Sequence, residues 1–529
     1  MTGDSAATAT ATVGAGLLAG IAGGLTLAHL ATRTYDDSLD GTGRAVTLTG
    51  TALTGVGAPG TISQSAIGAV RLKLGLGTDT ATVNVTGTAV SVTSSGGADT
   101  VNAVLARTPA GVLPVTTDAT IAAVTVANTV AGGSPWVLDQ GTLTANGTTV
   151  LTTVLSSKLA ATINPGPGGS VRVQRVAQPT TVTLSGSGGT LTVGGTVGSV
   201  TATLDSLLAP LTLAATSPGQ TLVLDDAAGD LNFGAPRLRT ISNTTITGPT
   251  QAGAITYDPA QFSFIRANLG PANDRVTLVG AANVVALDTG DGTNAVTAGG
   301  TLSNGLAVVG GPGNDTLTLT AGTGRVTFAT GDGTDAAVLD ATAVATNSKG
   351  DLTGLVARLD GVPRLTFAAA GGSSLAVKLG AGNNAFDVDT KTFAGDFQVT
   401  GGGGNSQFTV RNLPTTLGQY RFQGGAGLDT LTLQMGAPTA GQFAKVLPAV
   451  DQLVIDDGGY GGAVAWASTG TSVTANGLDV VNTQGAGRVS ILGGRSSANS
   501  LTVSGTGANP AAIDLDGNSV SVTEGLTIL

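Results

Sequence analysis

Between Leu269 and Asp335, apolar and polar residues alternate in short runs, and each run leads into a glycine-rich turn closed by Asp or Asn. The closing residues are Asp274, Asn294, Asp315 and Asp335, at separations of 20, 21 and 20. Runs such as Asp315-Thr-Leu-Thr-Leu-Thr and Ser185–Leu191 have the period of two that sends one set of side chains inward and the other to solvent. Glycine supplies positive-φ corner positions, and Asp or Asn bonds the local backbone there. A fixed turn spacing marks a stack of repeats in which no single coil can bury its own apolar face. The expected fold is all-β: a parallel β-helix (β-solenoid) with coils of about 20 residues and about three short strands, stacked about 4.8 Å apart. A string of antiparallel sandwiches is the alternative, but it needs no such constant spacing.

The same pattern divides the chain. Residues 1–34 stand apart: Thr and Ala alternate at Ala6–Thr12, and the 19 residues Val13–Ala31 are mostly apolar, with Gly16, Gly20 and Gly24 four apart. That stretch is nearly long enough to span a bilayer. It lacks the basic flank and A-x-A site of a leader. The expectation is a short non-β N-terminal arm or cap that covers one end of the stack or touches a neighbouring subunit, with membrane contact through Val13–Ala31 disfavoured. β-Repeat regions follow at 35–223, at 224–453 with the Gly/Asp turns, and at 454–529. Three similar modules open at Asp36-Asp37, Asp225-Asp226 and Asp456-Asp457. Ser134–Leu159 is less regular, and DLTGLVARLDGVPRLTF, from Asp351, interrupts a rhythm that resumes at Leu379.

Composition narrows the function classes. Aromatic residues are 3% and charged residues 11% of the chain, so Val, Thr, Ala and Leu must do the packing. The net charge of −10 argues against nucleic acid, where Lys and Arg on phosphates supply the affinity. Cysteine is absent, which removes disulfides, zinc thiolates and thiol catalysis. The single histidine, His29, sits in the apolar stretch without a nucleophile motif and is expected to be packed or to cap. The adjacent carboxylates of Asp36/Asp37, Asp225/Asp226 and Asp456/Asp457 point to opposite faces of a strand, so they read as structural corners and not as acid/base pairs.

Gly310-Gly-Pro-Gly-Asn-Asp-Thr-Leu-Thr resembles the GGxGxDxUx nonapeptide of the repeat-in-toxin calcium-binding proteins, and Gly424-Gly-Ala-Gly-Leu-Asp-Thr-Leu-Thr is a second match. GDGTNAV at Gly290 and GDGTDAAV at Gly331 are partial matches. The resemblance implies Ca²⁺ held by turn oxygens, with Asp291, Asp315, Asp332, Asp335 and Asp429 as the ligand candidates. The departure is spacing: the family repeats its nonapeptide in tandem, whereas matched turns here come about every 20 residues.

In style, most of residues 35–529 resembles secreted bacterial cell-surface proteins, namely S-layer and large repeat-in-toxin-like matrix or adhesin proteins. The end of the sequence, SVSVTEGLTIL, is similar to an uncleaved type I export signal and equally to a last β-rung. The resemblance implies an extracellular, non-enzymatic, self-assembling structural protein of the bacterial surface, an S-layer or fibre subunit, with copies of itself and a cell-surface glycan as candidate partners. A calcium-dependent adhesin and a polysaccharide-active β-helix enzyme are the alternatives. An adhesin needs a separate binding head, and an enzyme needs a groove of clustered basic and aromatic residues.

Overall fold

The structure is a computed structural model, and it describes residues 9–84, 88–105, 115–118, 120–128, 135–153, 158–228, 237–248, 251–281, 283–303, 305–320, 322, 324–368, 373–414, 418–437, 443–494, 499–503, 511–514 and 519–522. It is nearly all β, with strands paired mostly in parallel and a single short 3-10 turn, Leu204–Ser206, among the described residues. Two compact units emerge: Met1–Pro271 with Asn283–Val285, and Ala272–Ala282 with Ala286–Leu529.

In the second unit the chain runs back and forth between two rows of parallel strands. One row contains Asp274–Ala281, Ala295–Leu302, Thr316–Thr320, Ala336–Asp340, Ser374–Lys378 and Asp396–Thr400, each bonded to the next. The other contains Leu306–Val309 and Val326–Ala329, and further on Asn384–Asp389, Ser406–Asn412 and Thr430–Gln434. Val296 pairs with Leu317 and Leu317 with Ala337, so the register advances by the expected 20 to 21 residues per coil. Each such coil has two strands, where the spacing suggested about three. The remaining residues form glycine-rich corners that stack backbone on backbone. A Cβ on Gly311 would lie 1.9 Å from Gly290 O, and Gly313, at φ 132°, has Gly292 O equally close. Only glycine fits such an approach.

The inward residues alternate as the pattern requires: Val296 and Ala298, Leu317 and Leu319, Ala337 and Leu339 are buried, and the other row answers with Leu306, Val308, Val326 and Phe328. The rows meet directly at the aromatic side chains. Phe386 and Phe397, from opposite rows, have ring centroids 5.8 Å apart, and so do Phe408 and Phe422. Much of a sparse aromatic complement is thus concentrated in one core, where rings contribute beyond their buried area.

The first unit begins with a correction. The stretch expected to be a non-β arm contains the strands Thr10–Gly14 and Leu25–Asp36, paired in parallel from Thr10↔Thr32 to Gly14↔Asp36. Its glycines disfavour a helix, and Gly14 and Gly16 adopt φ of 89° and 94°. No helix among the described residues is long and apolar enough to cross a membrane. Leu18, Leu27, Leu30 and Tyr35 are buried. His29 is neither packed nor capping a helix: it is exposed, at φ 53°, in the middle of its strand. The strand Ile62–Leu74 pairs alongside and carries Ala66 at φ 48° between the register pairs Ala28↔Ser65 and Leu30↔Ile67. Both long strands therefore turn a corner at this level.

Among the described residues, five three-stranded antiparallel meanders interrupt the rows. Three belong to the Asp-Asp modules: Ala45–Thr49 to Ile62–Leu74, Arg237–Ser242 to Ile255–Tyr257, and Ala465–Ser468 to Leu478–Asn482. The other two are the segments that read as irregular: Trp136–Asp139 to Thr148–Thr152, and Lys349–Thr353 to Val362–Phe367. Four of the meanders stay within the large sheet, whereas the one from Ala465 belongs to a separate five-stranded sheet. Within the large sheet, Val362–Phe367 bonds back to Val326–Ala329 while Lys349–Thr353 bonds forward to Asn384–Asp389. Within each unit, successive meanders fall in opposite rows.

Candidate functional site

The corner aspartates are the most repeated polar feature, and they form ladders. Asp274 N–H donates to Asn294 Oδ1 (2.8 Å), Asn294 N–H to Asp315 Oδ1 (3.0 Å), and Asp315 N–H to Asp335 Oδ1 (2.8 Å). The four residues that set the sequence period are thus bonded coil to coil. The same link recurs from Ser406 N–H to Asp429 Oδ1 (2.7 Å) and from Asp429 N–H to Asp451 Oδ2 (2.8 Å). In the first unit it joins Arg44 N–H to Asp79 Oδ1 and Asp79 N–H to Asp99 Oδ1, both 2.6 Å. A second, outer set runs the opposite way: Thr293 N–H donates to Asn273 Oδ1 (2.7 Å) and Thr334 N–H to Asn314 Oδ1 (2.8 Å).

This geometry divides the five calcium candidates. Asp315, Asp335 and Asp429 are buried and accept backbone N–H groups, whereas Asp291 and Asp332 are exposed. Gly292 N–H donates to Pro312 O, and Gly313 N–H donates to Asp332 O, both at 2.9 Å. The corner of Pro312, which has no side-chain oxygen, therefore stands between those of Asp291 and Asp332. Among the described residues no group of three or more His, Cys, Asp or Glu side chains is placed to hold a metal ion. Burial pushes the Asp315 and Asp335 carboxyls up, against the opposing pull of the Asn294 and Asp315 N–H groups respectively.

The Asp-Asp pairs split as strand geometry requires. The first residue faces outward: Asp36 meets Lys73 Nζ (3.2 Å) and Asp225 meets Arg172 Nη1 (3.1 Å), while Asp456 accepts Gly458 N–H (2.9 Å). The second is buried in all three modules. Asp37 accepts Leu18 N–H (2.7 Å), and Asp226 accepts Leu204 N–H (2.9 Å). Asp226 also meets the buried Arg239 at 2.6 Å, whose other nitrogen reaches Asp205 at 3.0 Å. Among the described residues Asp457 has no such cation, and burial, helped by the charge of Asp456, pushes its carboxyl up to about 6.

One polar cluster went unread in the sequence. Arg33, fully buried, directs Nη1 to Gln64 Oε1 (3.2 Å) and Tyr35 OH (3.4 Å), and Tyr35 OH donates to the same Gln64 oxygen (2.7 Å). The period-two pattern carries no sign of it, because Arg33 occupies an inward position that the pattern assigns to an apolar residue.

Comparison with family models, with curated proteins and with solved structures finds no match to this chain.

Two outcomes follow from the corner chemistry. Asn already serves at this position in Asn294, so Asp315→Asn should keep the bond to the Asn294 N–H and leave stability within about 0.5 kcal/mol. Asp315→Ala should strand that buried N–H and cost about 1–3 kcal/mol by urea unfolding. Equal losses for the two variants would show that the ladder bond is not what Asp315 supplies.

Asp457 sets a pH dependence. Its folded-state pKa lies above the ordinary carboxylate value, so its contribution is fully present in acid and is lost as pH rises through about 6. Asp457→Asn should therefore stabilise the fold at pH 7.5, by at most about 3 kcal/mol, and change it little at pH 4. The same stability change at both pH values would contradict this assignment.

Proposed function

We propose that this chain is a β-solenoid built as a self-assembling structural protein, a subunit of an extracellular fibre or S-layer on a bacterial surface. The observation that carries the reading is the pairing of the outermost described strands of the rows. Among the described residues, Thr10–Gly14 pairs only with Leu25–Asp36, Ala511–Asp514 only with Arg488–Leu492, and Ser519–Val522 only with Ser500–Val503. A parallel edge presents unpaired N–H and C=O groups and templates another strand. The two ends differ, so a contact between them is heterologous and propagates where it does not close. Exposed Leu17 follows the first of these strands, and exposed Leu39 donates its N–H to Gly16 O (2.7 Å), which adds apolar surface there.

Within this reading, calcium is assigned to the exposed corner carboxylates. Asp291 and Asp332 are available to an ion, while Asp315, Asp335 and Asp429 hold the backbone. Hard oxygen donors suit Ca²⁺.

Assembly is tested at the first edge. Ala9 accepts from Ala31 N–H (2.8 Å), so strand alternation turns the N–H of Thr12 outward. Thr12→Pro should leave the melting temperature nearly unchanged and reduce assembly at least about tenfold, read by light scattering and electron microscopy. A Thr12→Pro protein that assembles like the parent would rule out this edge as the contact.

For calcium, excess ion should raise the midpoint of thermal unfolding by several degrees over excess chelator, if it binds only the folded state. Asp291→Asn combined with Asp332→Asn should abolish the difference. A midpoint that is the same in calcium and in chelator would remove calcium from the proposal.

A further inference from the structure

The corner leading into Asn384–Asp389 opens on a polar groove of about 380 Å³ lined by a run of amide side chains. Asn347, Asn383 and Asn405 hold the outer corner position in three successive coils. Asn347 Oδ1 accepts Asn383 N–H (2.8 Å), Asn383 Oδ1 accepts Asn405 N–H (2.9 Å), and Asn405 Oδ1 accepts Leu428 N–H (2.9 Å). Each bond identifies the oxygen end of the amide, because only oxygen can accept from an N–H. The other end, the Nδ2 amine, has no partner among the described residues, and all three side chains are exposed. The backbone thus holds three carboxamide donors in line, about one coil step of 4.8 Å apart.

The depression itself comes from one small residue. Lys349, Ala385 and Gln407 stand side by side in register, and Ala385 leaves a gap between two long side chains. The rim carries one charge of each sign: Asp360 Oδ1 accepts Lys349 N–H (2.9 Å), which keeps that carboxylate beside the lysine.

We propose that this groove binds a neutral glycan chain. A row of fixed N–H donors calls for a ligand with acceptor oxygens at regular intervals. Linked pyranose rings provide hydroxyl oxygens at a repeat close to the coil step. The rim charges offset each other, and a net charge of −10 disfavours a polyanion. The donors are pre-oriented by bonds the fold makes anyway, so little ordering cost falls on binding. One groove holds its ligand weakly, and many copies in an assembly hold it by avidity. The biological source of the glycan rests on the surface role proposed above, whereas the groove chemistry stands without it.

The test uses the full chain, unassembled, titrated calorimetrically with cellohexaose, chitohexaose, maltohexaose and an oligogalacturonate. The diagnostic variant is Asn383→Asp combined with Asn405→Asp. It keeps both Oδ1 acceptors, as aspartates do in the inner ladder, and replaces the donors with carboxylate oxygens. One neutral oligosaccharide should bind, and the variant should bind it at least about tenfold more weakly at an unchanged melting temperature, since two hydrogen bonds are lost. Three results overturn the proposal: no neutral oligosaccharide binding at millimolar concentration, preference for the oligogalacturonate, or equal affinity of variant and parent. Because binding is read on the unassembled subunit, failure of the groove and failure of assembly are separate results.

Discussion

Everything in this fold depends on how a corner satisfies its backbone. Strands bond laterally as a matter of course, but where the chain turns, its N–H groups face the next coil and are shut off from water. Here the Oδ1 of an Asp or Asn one coil further on accepts them, as Asp315 does for Asn294 and Asp335 for Asp315. An unmet buried N–H costs about 1–3 kcal/mol, and hydrogen bonds to a charged acceptor contribute about 1.5–3 kcal/mol. The outer asparagines bond in the opposite direction, so neighbouring corners are strapped both ways. At Asp315 the Asn294 N–H works against the upward push of burial, whereas at Asp457 burial and the charge of Asp456 push the carboxyl up to about 6.

Corners held at one coil step keep the strand rows in register, and register decides which side chains meet. In the second unit it brings Phe386 against Phe397 and Phe408 against Phe422 across the core. It also explains why the meanders are tolerated. A meander enters and leaves along the same row, so the corner ladders on either side keep their spacing. The Asp-Asp pairs serve this arrangement: one carboxylate faces solvent and the other reaches a backbone N–H or, at Asp226, a buried arginine.

The 20-residue period was legible because Asp274, Asn294, Asp315 and Asp335 recur with their glycines. Strand number per coil was not, since a 20-residue coil accommodates three strands with tight corners or two strands with long ones. The β-character of the N-terminal segment was hidden by a phase slip: inward Leu27 and Leu30 are three apart, not two, because His29 turns at φ 53° between them. The two extra meanders did leave a signal. Asn146-Gly147 and Asp360-Gly361 are positive-φ pairs of the kind that close two-residue hairpins. At the candidate site, the aspartates were legible as corners. Their hydrogen-bond partners were not, because an Asp in a glycine turn suits a cation and a backbone N–H equally well. Only the pairing between coils reveals the backbone bond.

The central claim is that corner amides are locked by side chains from the neighbouring coil. Hydrogen–deuterium exchange read by mass spectrometry over peptides spanning Asn294, Asp315 and Asp429 tests it most directly. These glycine-rich corners should exchange as slowly as the strands beside them. Exchange at the rate of ordinary exposed loops would contradict the account.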